Sequence, residues 1–369
     1  MSTDPLAGLV LAGFDGTRAD DDGVRALVDL GVGGFILFGR NIESPRQVHA
    51  LLAGIREACG DRPVLFAVDQ EGGRVARLRE PLTVWPPMAR LGEAGDRDLA
   101  ERLGLALASE IRALGFNLVF APVLDVRGEG TTDAIGDRSL GGNPELVSSL
   151  GTALIEGIQT AGLIACGKHF PGHGPVAVDS HLDLPVCQLE QETLMEDHVL
   201  PFARAAGAGV GAIMSAHVRY PSVDPQNPAT FSTIWLTEIL RKKLAFDGLI
   251  LTDDLEMGAV TSSGSVGAAA VRALAAGADG VLVCHGLEQV RETIAQLRSA
   301  ADKDVDFLAA CVTGLARLQK AAGTHPPQAL PLEDLEHHLG RTAHQEVAAQ
   351  LQEGPKTVGL DPTEASSSA

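Results

Sequence analysis

The chain of 369 residues carries 29 basic against 48 acidic side chains, a net charge of −19 with histidine neutral. A balance this acidic repels phosphate backbones and anionic bilayers, and the few lysines and arginines gather into no patch, so no nucleic acid and no membrane is expected as a partner. Hydrophobic residues make up 45%, which at this length buries a large core and excludes a chain disordered throughout.

Met1–Pro5 has no basic start and the apolar stretch Leu6–Phe14 is short, so no signal peptide is expected. The first apolar run, Gly8–Ala12, precedes a helical pattern over Asp20–Leu30. Gly34–Phe38 precedes a helix that Ser44 caps and Pro45 opens, with Val48, Leu51, Leu52 and Ile55 on one face. Val64–Val68 comes before a long excursion and a helix over Arg97–Leu114. After Leu118–Ala121, Asn143-Pro144 repeats the start signal, with Val147, Leu150, Leu154 and Ile158 on one face. Leu163–Cys166, Val210–Met214, Leu249–Thr252 and Gly280–Val283 are followed in turn by helices over Glu190–Ala206, Trp235–Ala245, Val266–Ala276 and Leu287–Ala300.

None of these runs alternates polar with apolar residues, the pattern of strands buried on both faces of a parallel sheet. Strand followed by helix, eight times over, predicts an α/β fold: a (β/α)8 TIM-type barrel forming a single catalytic domain over residues 1–323. The alternative is a doubly wound open sheet, whose nucleotide-binding versions lose support because no GxGxxG or GxxxxGK[ST] follows the first strand. A helix near Val305–Ala322 is expected to pack on the barrel before Pro326-Pro327 breaks the chain. Residues 324–369 read as a helical extension, helix-prone over Leu332–Gln352, with a disordered tail at Thr363–Ala369. The five cysteines are scattered and form no CxxC pair, so they read as buried thiols in a reducing compartment. With no apolar run long enough to cross a bilayer, the expected location is cytoplasmic.

In such a barrel the chemistry sits at the C-terminal ends of the strands and on the loops that follow. Those positions hold Asp69–Arg74 after strand 3, Asp125 and then Arg138 after strand 4, and Lys168–Gly174 after strand 5, where Lys168 and His169 begin a loop that ends in Asp179-Ser180-His181. Strands 6, 7 and 8 run into Ser215-Ala216-His217, Asp253-Asp254 and Cys284-His285. The connections after strands 3 to 6 are about 20 residues or longer, a length that is usually functional, and they predict a wide polar pocket. Each residue alone has a plain structural use: Asp253 as a helix cap or an Arg partner, Asp254 as a structural acid, His217 and His285 as pocket walls, Gly172 and Gly174 as turns. Their convergence on one mouth is what points to chemistry.

Asp69-Gln70-Glu71-Gly72-Gly73-Arg74, Lys168-His169-Phe170-Pro171-Gly172-His173-Gly174 with Asp179-Ser180-His181, and Thr252-Asp253-Asp254-Leu255-Glu256-Met257 together resemble the single-domain β-N-acetylglucosaminidases of glycoside hydrolase family 3. The resemblance runs from about Gly8 to Leu297, includes Phe38–Ile42 and Met214–His217, and fades after about Gly323. It implies that Asp253 is a nucleophile, that His181 polarised by Asp179 is the acid/base, and that Asp69, Arg77, Arg138, Lys168 and His169 surround the sugar. It also implies a terminal, non-reducing, β-linked N-acetylglucosamine on cell-wall saccharides or muropeptide fragments as substrate, in peptidoglycan recycling, with no cofactor. Pro175–Val178 departs from the family, which often has Asp-Thr beside the glycines, and reshapes the loop before Asp179.

The chemistry is consistent on its own terms. A retaining glycosidase needs a carboxylate under the anomeric carbon and a proton donor beside the leaving oxygen, and a histidine titrating near neutral pH can donate and then accept. Two other readings stay open. One is a metal-dependent barrel hydrolase, since His169, His173, Asp179 and His181 are all plausible Zn²⁺ ligands, although no HxH follows strand 1 and the cluster lies on one loop. The other is a non-catalytic sugar-binding barrel that kept its pocket.

Overall fold

The structure is a computed structural model that describes residues 4–128, 130–176, 184–261 and 264–351. Eight parallel strands close into a barrel: β1 (Val10–Gly13), β2 (Gly34–Leu37), β3 (Leu65–Val68), β4 (Leu118–Val119), β5 (Ile164–Phe170), β6 (Ala212–Ser215), β7 (Leu249–Asp254) and β8 (Gly280–Val283). Each pairs with its neighbours in chain order, and β8 closes the ring on β1 with Val10 opposite Val281. Closure removes both sheet edges and eliminates the open doubly wound alternative. All eight apolar runs become barrel strands, and their residues are buried apart from the mouth end of β7.

The connecting helices are α1 (Asp22–Leu30), α2 (Pro45–Ala58), α3 (Arg97–Leu114), α4 (Pro144–Thr160), α5 (Leu200–Gly207), α6 (Ile234–Lys243), α7 (Val266–Ala276) and α8 (Leu287–Ala301). Their starts follow the local chemistry. Ser44 Oγ accepts from the Gln47 N–H at 3.2 Å, and Asn143 Oδ1 accepts from Glu145 N–H at 2.9 Å and Leu146 N–H at 3.1 Å, each immediately before a proline at the first helical position. Between α3 and α4 the backbones nearly touch. A Cβ on Gly104 would strike the Leu154 carbonyl, and one on Gly157 would strike that of Glu101.

Two helices depart from the expected form. The segment expected as one helix over Glu190–Ala206 opens with a short α-helical turn at Gln191–Thr193 and then widens into a π-type turn at Leu194–His198 before α5, where Pro201 cannot donate the hydrogen bond a continuous α-helix requires. The helix expected over Trp235–Ala245 is π-type throughout α6, and Ala245 takes the left-handed conformation. β5 and β7 also run beyond their apolar cores, so Lys168 and His169 end a strand rather than begin a loop.

After the barrel, α9 (Val305–Thr324) packs against β7, β8 and α7. The segment expected as one helix over Leu332–Gln352 is two, α10 (Leu332–His338) and α11 (Thr342–Ala349), broken at Gly340, which is left-handed at φ +57°. Both pack on α3 and bury Leu335, Leu339, Val347 and Ala348 in the continuous core. Thr363–Ala369 lies outside the described residues. Among the described residues no helix is long and apolar enough to cross a membrane, and all five cysteines are buried and unpaired.

Candidate functional site

The C-terminal ends of the strands line a cavity. Its apolar floor includes Ile36, Met214 and Leu282; its walls carry Asp69, Arg138, Lys168, His169, His173, His217, Asp253, Asp254 and His285. Packed β-strand side chains lie below the floor.

One wall is an ion network. Lys168 Nζ, on the last turn of pleat in β5, donates to Asp69 Oδ1 at 2.8 Å and lies 2.6 Å from Glu71 Oε1. Arg138 clamps Glu71 bidentately, Nε to Oε2 at 2.7 Å and Nη2 to Oε1 at 2.8 Å, and also donates to the Ala134 carbonyl. Arg77 Nη2 reaches Asp69 Oδ2 at 3.4 Å. All of these side chains are nearly fully buried. Burial opposes ionisation of Glu71, but the Arg138 and Lys168 charges outweigh it and hold its carboxyl well below the usual range. For Lys168 burial opposes the charge, yet Asp69 and Glu71 prevail and push it up to about 12. Glu71 and Asp69 sit on the excursion after β3, around a small hairpin of Gln70–Gly72 and Val75–Ala76, whereas Arg138 comes from the loop after β4. The clamp therefore ties two loops together, and Arg74 Nε to Asp137 Oδ1 at 3.1 Å ties them again.

The opposite wall is organised by buried Asp125. Its Oδ2 lies 2.7 Å from His169 Nδ1, and its Oδ1 accepts the His173 N–H at 2.7 Å. Burial works against the Asp125 charge, and His169 and His173 overcome it, keeping the carboxyl below its usual value. An ionised acceptor at Nδ1 fixes the proton there and leaves His169 Nε2 for a ligand.

Asp253 is the penultimate residue of β7, partly exposed and lining the cavity. Burial raises its pKa, but His169, His217, the Asp254 N–H bonded to Oδ1 at 2.8 Å and Lys168 together lower it below the ordinary carboxylate value. It is an anion at neutral pH. His217 supports the strand end from below, with Nε2 2.9 Å from the Asp254 carbonyl and Nδ1 2.8 Å from Thr230 Oγ1, and burial lowers its pKa. Beside it, His285 Nδ1 lies 3.2 Å from Asp254 Oδ2 and 3.6 Å from Glu256 Oε2. Hydrogen bonds to Asp254 and then Glu256 push His285 up to about 9 despite burial.

Of the expected site residues, Asp69, Arg138, Lys168, His169 and Asp253 share the cavity wall, and Arg77 stands behind Asp69. Asp179 and His181 lie outside the described residues. Three partners were not singled out as site residues by sequence reasoning: Glu71, Asp125 and Glu256. Asp125 carried a usable signal as the acid following strand 4, and Glu71 as the acid inside the Asp69–Arg74 motif. Of the four ligands of the metal reading, His169 and His173 have ring centroids 6.3 Å apart, with His169 Nδ1 held by Asp125, and Asp179 and His181 lie outside the described residues. Among the described residues the group of three donors close enough for an ion is Asp254, Glu256 and His285. There the two carboxylates raise the imidazole's pKa, so metal binding at neutral pH would have to displace a proton.

Alternating fixed anions and cations around the cavity suit a ligand whose groups both donate and accept, as sugar hydroxyls do. Comparison with known proteins agrees. The model of the glycosyl hydrolase family 3 N-terminal domain matches residues 6–320. A β-hexosaminidase of Thiobacillus denitrificans is 43% identical over 317 residues, covering 84% of this chain and 86% of that protein. A glycoside hydrolase family 3 β-N-acetylglucosaminidase from Paenibacillus superposes with a TM-score of 0.87 at 38% identity, covering 94% of this chain and 67% of that one. NagZ from Neisseria gonorrhoeae, solved in complex with N-trifluoroacetyl-D-glucosamine, gives 0.79 at 36% identity, with 93% and 96% covered. The chain belongs to glycosyl hydrolase family 3 and is a glycoside hydrolase of its β-hexosaminidase type.

Proposed function

We propose that the enzyme is a retaining exo-glycosidase that removes terminal, non-reducing, β-linked N-acetylglucosamine from cell-wall-derived saccharides such as muropeptide fragments. The observation that carries this reading is the ionised Asp253 carboxylate at a strand end, lining a cavity with polar walls. Asp253 attacks the anomeric carbon, and the C1–O bond to the aglycone breaks as the leaving oxygen takes a proton from His181, oriented by Asp179. Water then gives its proton back to His181 and its oxygen to C1, releasing the sugar and restoring the Asp253 anion. Asp69, Arg138, Lys168 and His169, with Arg77 set behind Asp69, hold the hydroxyls. The glucosamine derivative bound by the Neisseria protein supports an N-acetylglucosamine-sized guest, and five unpaired thiols fit a reducing compartment, the cytoplasm. The barrel over residues 1–323 is the catalytic unit in this reading.

The test is hydrolysis of an aryl β-N-acetylglucosaminide by the wild type and by Asp253→Asn, with the first-formed anomer followed by proton NMR. A fall of about three orders of magnitude or more in the variant and a β-configured first product support the reading. Equal rates place the nucleophile elsewhere, and an α-configured product rules out retention. Binding of N-acetylglucosamine without turnover by the wild type converts the protein to a sugar-binding barrel.

A further inference from the structure

Outside the cavity, Glu110, in the last turns of α3, is a carboxylate only 1% exposed. It carries four hydrogen bonds. Oε2 accepts the Thr83 N–H at 2.9 Å, and Oε1 accepts the Thr83 hydroxyl at 2.8 Å, the Gly340 N–H at 2.9 Å and His344 Nδ1 at 2.7 Å. Thr83 belongs to the tip of the excursion after β3, the segment whose outgoing arm bears Asp69, Glu71 and Arg77. Gly340 and His344 belong to the break between α10 and α11 and to α11 itself. One buried acid thus joins the excursion to the C-terminal helices.

The two arms of the excursion are stitched near the cavity: Leu78 N–H donates to Gln70 Oε1 at 2.9 Å, Gln70 Nε2 to the Leu78 carbonyl at 2.7 Å, and Gly73 N–H to the Trp85 carbonyl at 2.8 Å. At the tip, Leu82 N–H donates to the Arg79 carbonyl and Thr83 N–H goes to Glu110. The tip's position is thus set from outside the excursion. Gly340 reinforces this sterically: it is left-handed, and a Cβ there would collide with the Pro81 carbonyl. Burial of Leu335, Leu339, Val347 and Leu351 fixes the helices that supply Gly340. A buried network that satisfies both carboxylate oxygens specifies one arrangement, since a shift strands a charged acceptor.

We infer that α10 and α11 form a buttress that sets the position of the sugar-binding arm after β3, with Glu110 and Gly340 as its positioning residues. The inference rests on the proposed sugar-binding role of Asp69 and Arg77. The buttress lies beyond residues 6–320 matched by the family model. Misplacing a binding arm by a fraction of an ångström weakens binding and turnover without touching the reacting atoms.

The experiment compares Gly340→Val, Thr83→Val, Thr83→Ser and Asp69→Asn in the full chain. It measures kcat and KM on the aryl glycoside, N-acetylglucosamine binding by calorimetry, and melting temperature. Gly340→Val and Thr83→Val are expected to raise KM and the product Kd about tenfold well below their melting temperatures, while Thr83→Ser, which keeps the hydroxyl, stays within about twofold of wild type. If Asp69→Asn weakens binding but both valine variants leave KM and Kd within about twofold, the buttress is purely structural and the inference falls. If Asp69→Asn changes neither constant, the sugar-site reading fails instead. Thr83→Val carries the test alone if Gly340→Val does not fold.

Discussion

Replacing Glu71 by glutamine keeps the shape of the side chain and removes one charge from a buried cluster. In the wild type three carboxylates, Asp69, Glu71 and Asp253, stand against three cations, Arg77, Arg138 and Lys168. The substitution leaves Arg138 without its bidentate partner and Lys168 with Asp69 alone. Each lost contact is worth about 4 kcal/mol gross at an effective dielectric of about 20. The desolvation cost of the acid is recovered in part, and truncations of buried pairs come out at about 3–5 kcal/mol net. At about 2–4 °C per kcal/mol, a scale set on somewhat smaller domains, the melting temperature should fall by roughly 6–20 °C.

The pH dependence has a definite sign. The folded-state pKa of Glu71 is depressed below its unfolded value of about 4.3, so its contribution is fully present above that value and is lost as pH falls through the folded pKa. The stability gap between wild type and Glu71→Gln should therefore be constant from about pH 5 to 8 and narrow progressively as pH falls below about 4. Urea unfolding across that range measures it, with the aryl glycoside assay alongside. KM should rise as well, because Lys168 and Arg138 both face the cavity. A gap under about 1 kcal/mol at pH 7, or one that widens toward acid, would refute the assignment of Glu71 as the charge that holds both cations.

Asp125→Asn should lower kcat/KM about 10- to 100-fold with little loss of fold, because an amide no longer enforces the Nδ1–H tautomer of His169; a change under twofold argues that His169 does not bind substrate. His285 should keep its proton through neutral pH, with an NMR titration midpoint near 9, and a midpoint near 6.5 would contradict its pairing with Asp254 and Glu256. Because its folded pKa is raised, the stability it contributes relative to His285→Gln should be complete below about pH 6.5 and lost as pH rises through about 9. Prolonged treatment with a strong chelator should leave activity unchanged; loss restored by added zinc would revive the metal-dependent reading.

How much of this was legible in the sequence follows from the range of the forces involved. A barrel strand such as Val64–Val68 is buried on both faces by its neighbours, so its composition alone marks it, and Ser44-Pro45 or Asn143-Pro144 signals a helix start through atoms two or three residues away. Strand ends then located Asp69, Lys168, His169 and Asp253, because the fold itself collects those positions. Pairings between distant segments leave no such trace. Glu71 meets Arg138 across 67 positions, and Glu110 meets His344 across 234. Within α3, Glu110 looks like one more charge on a helix rich in them, beside Glu101 and Arg112, and only the arrival of Thr83 and Gly340 explains why it is buried. The same reasoning accounts for Gly340: read locally it is a gap in a helix-prone stretch, whereas the Pro81 carbonyl pressed against it makes it the one residue type that fits. Residues whose role is set by a neighbour in the chain can be read in one dimension; those that hold two loops in register become visible only when both loops are in place.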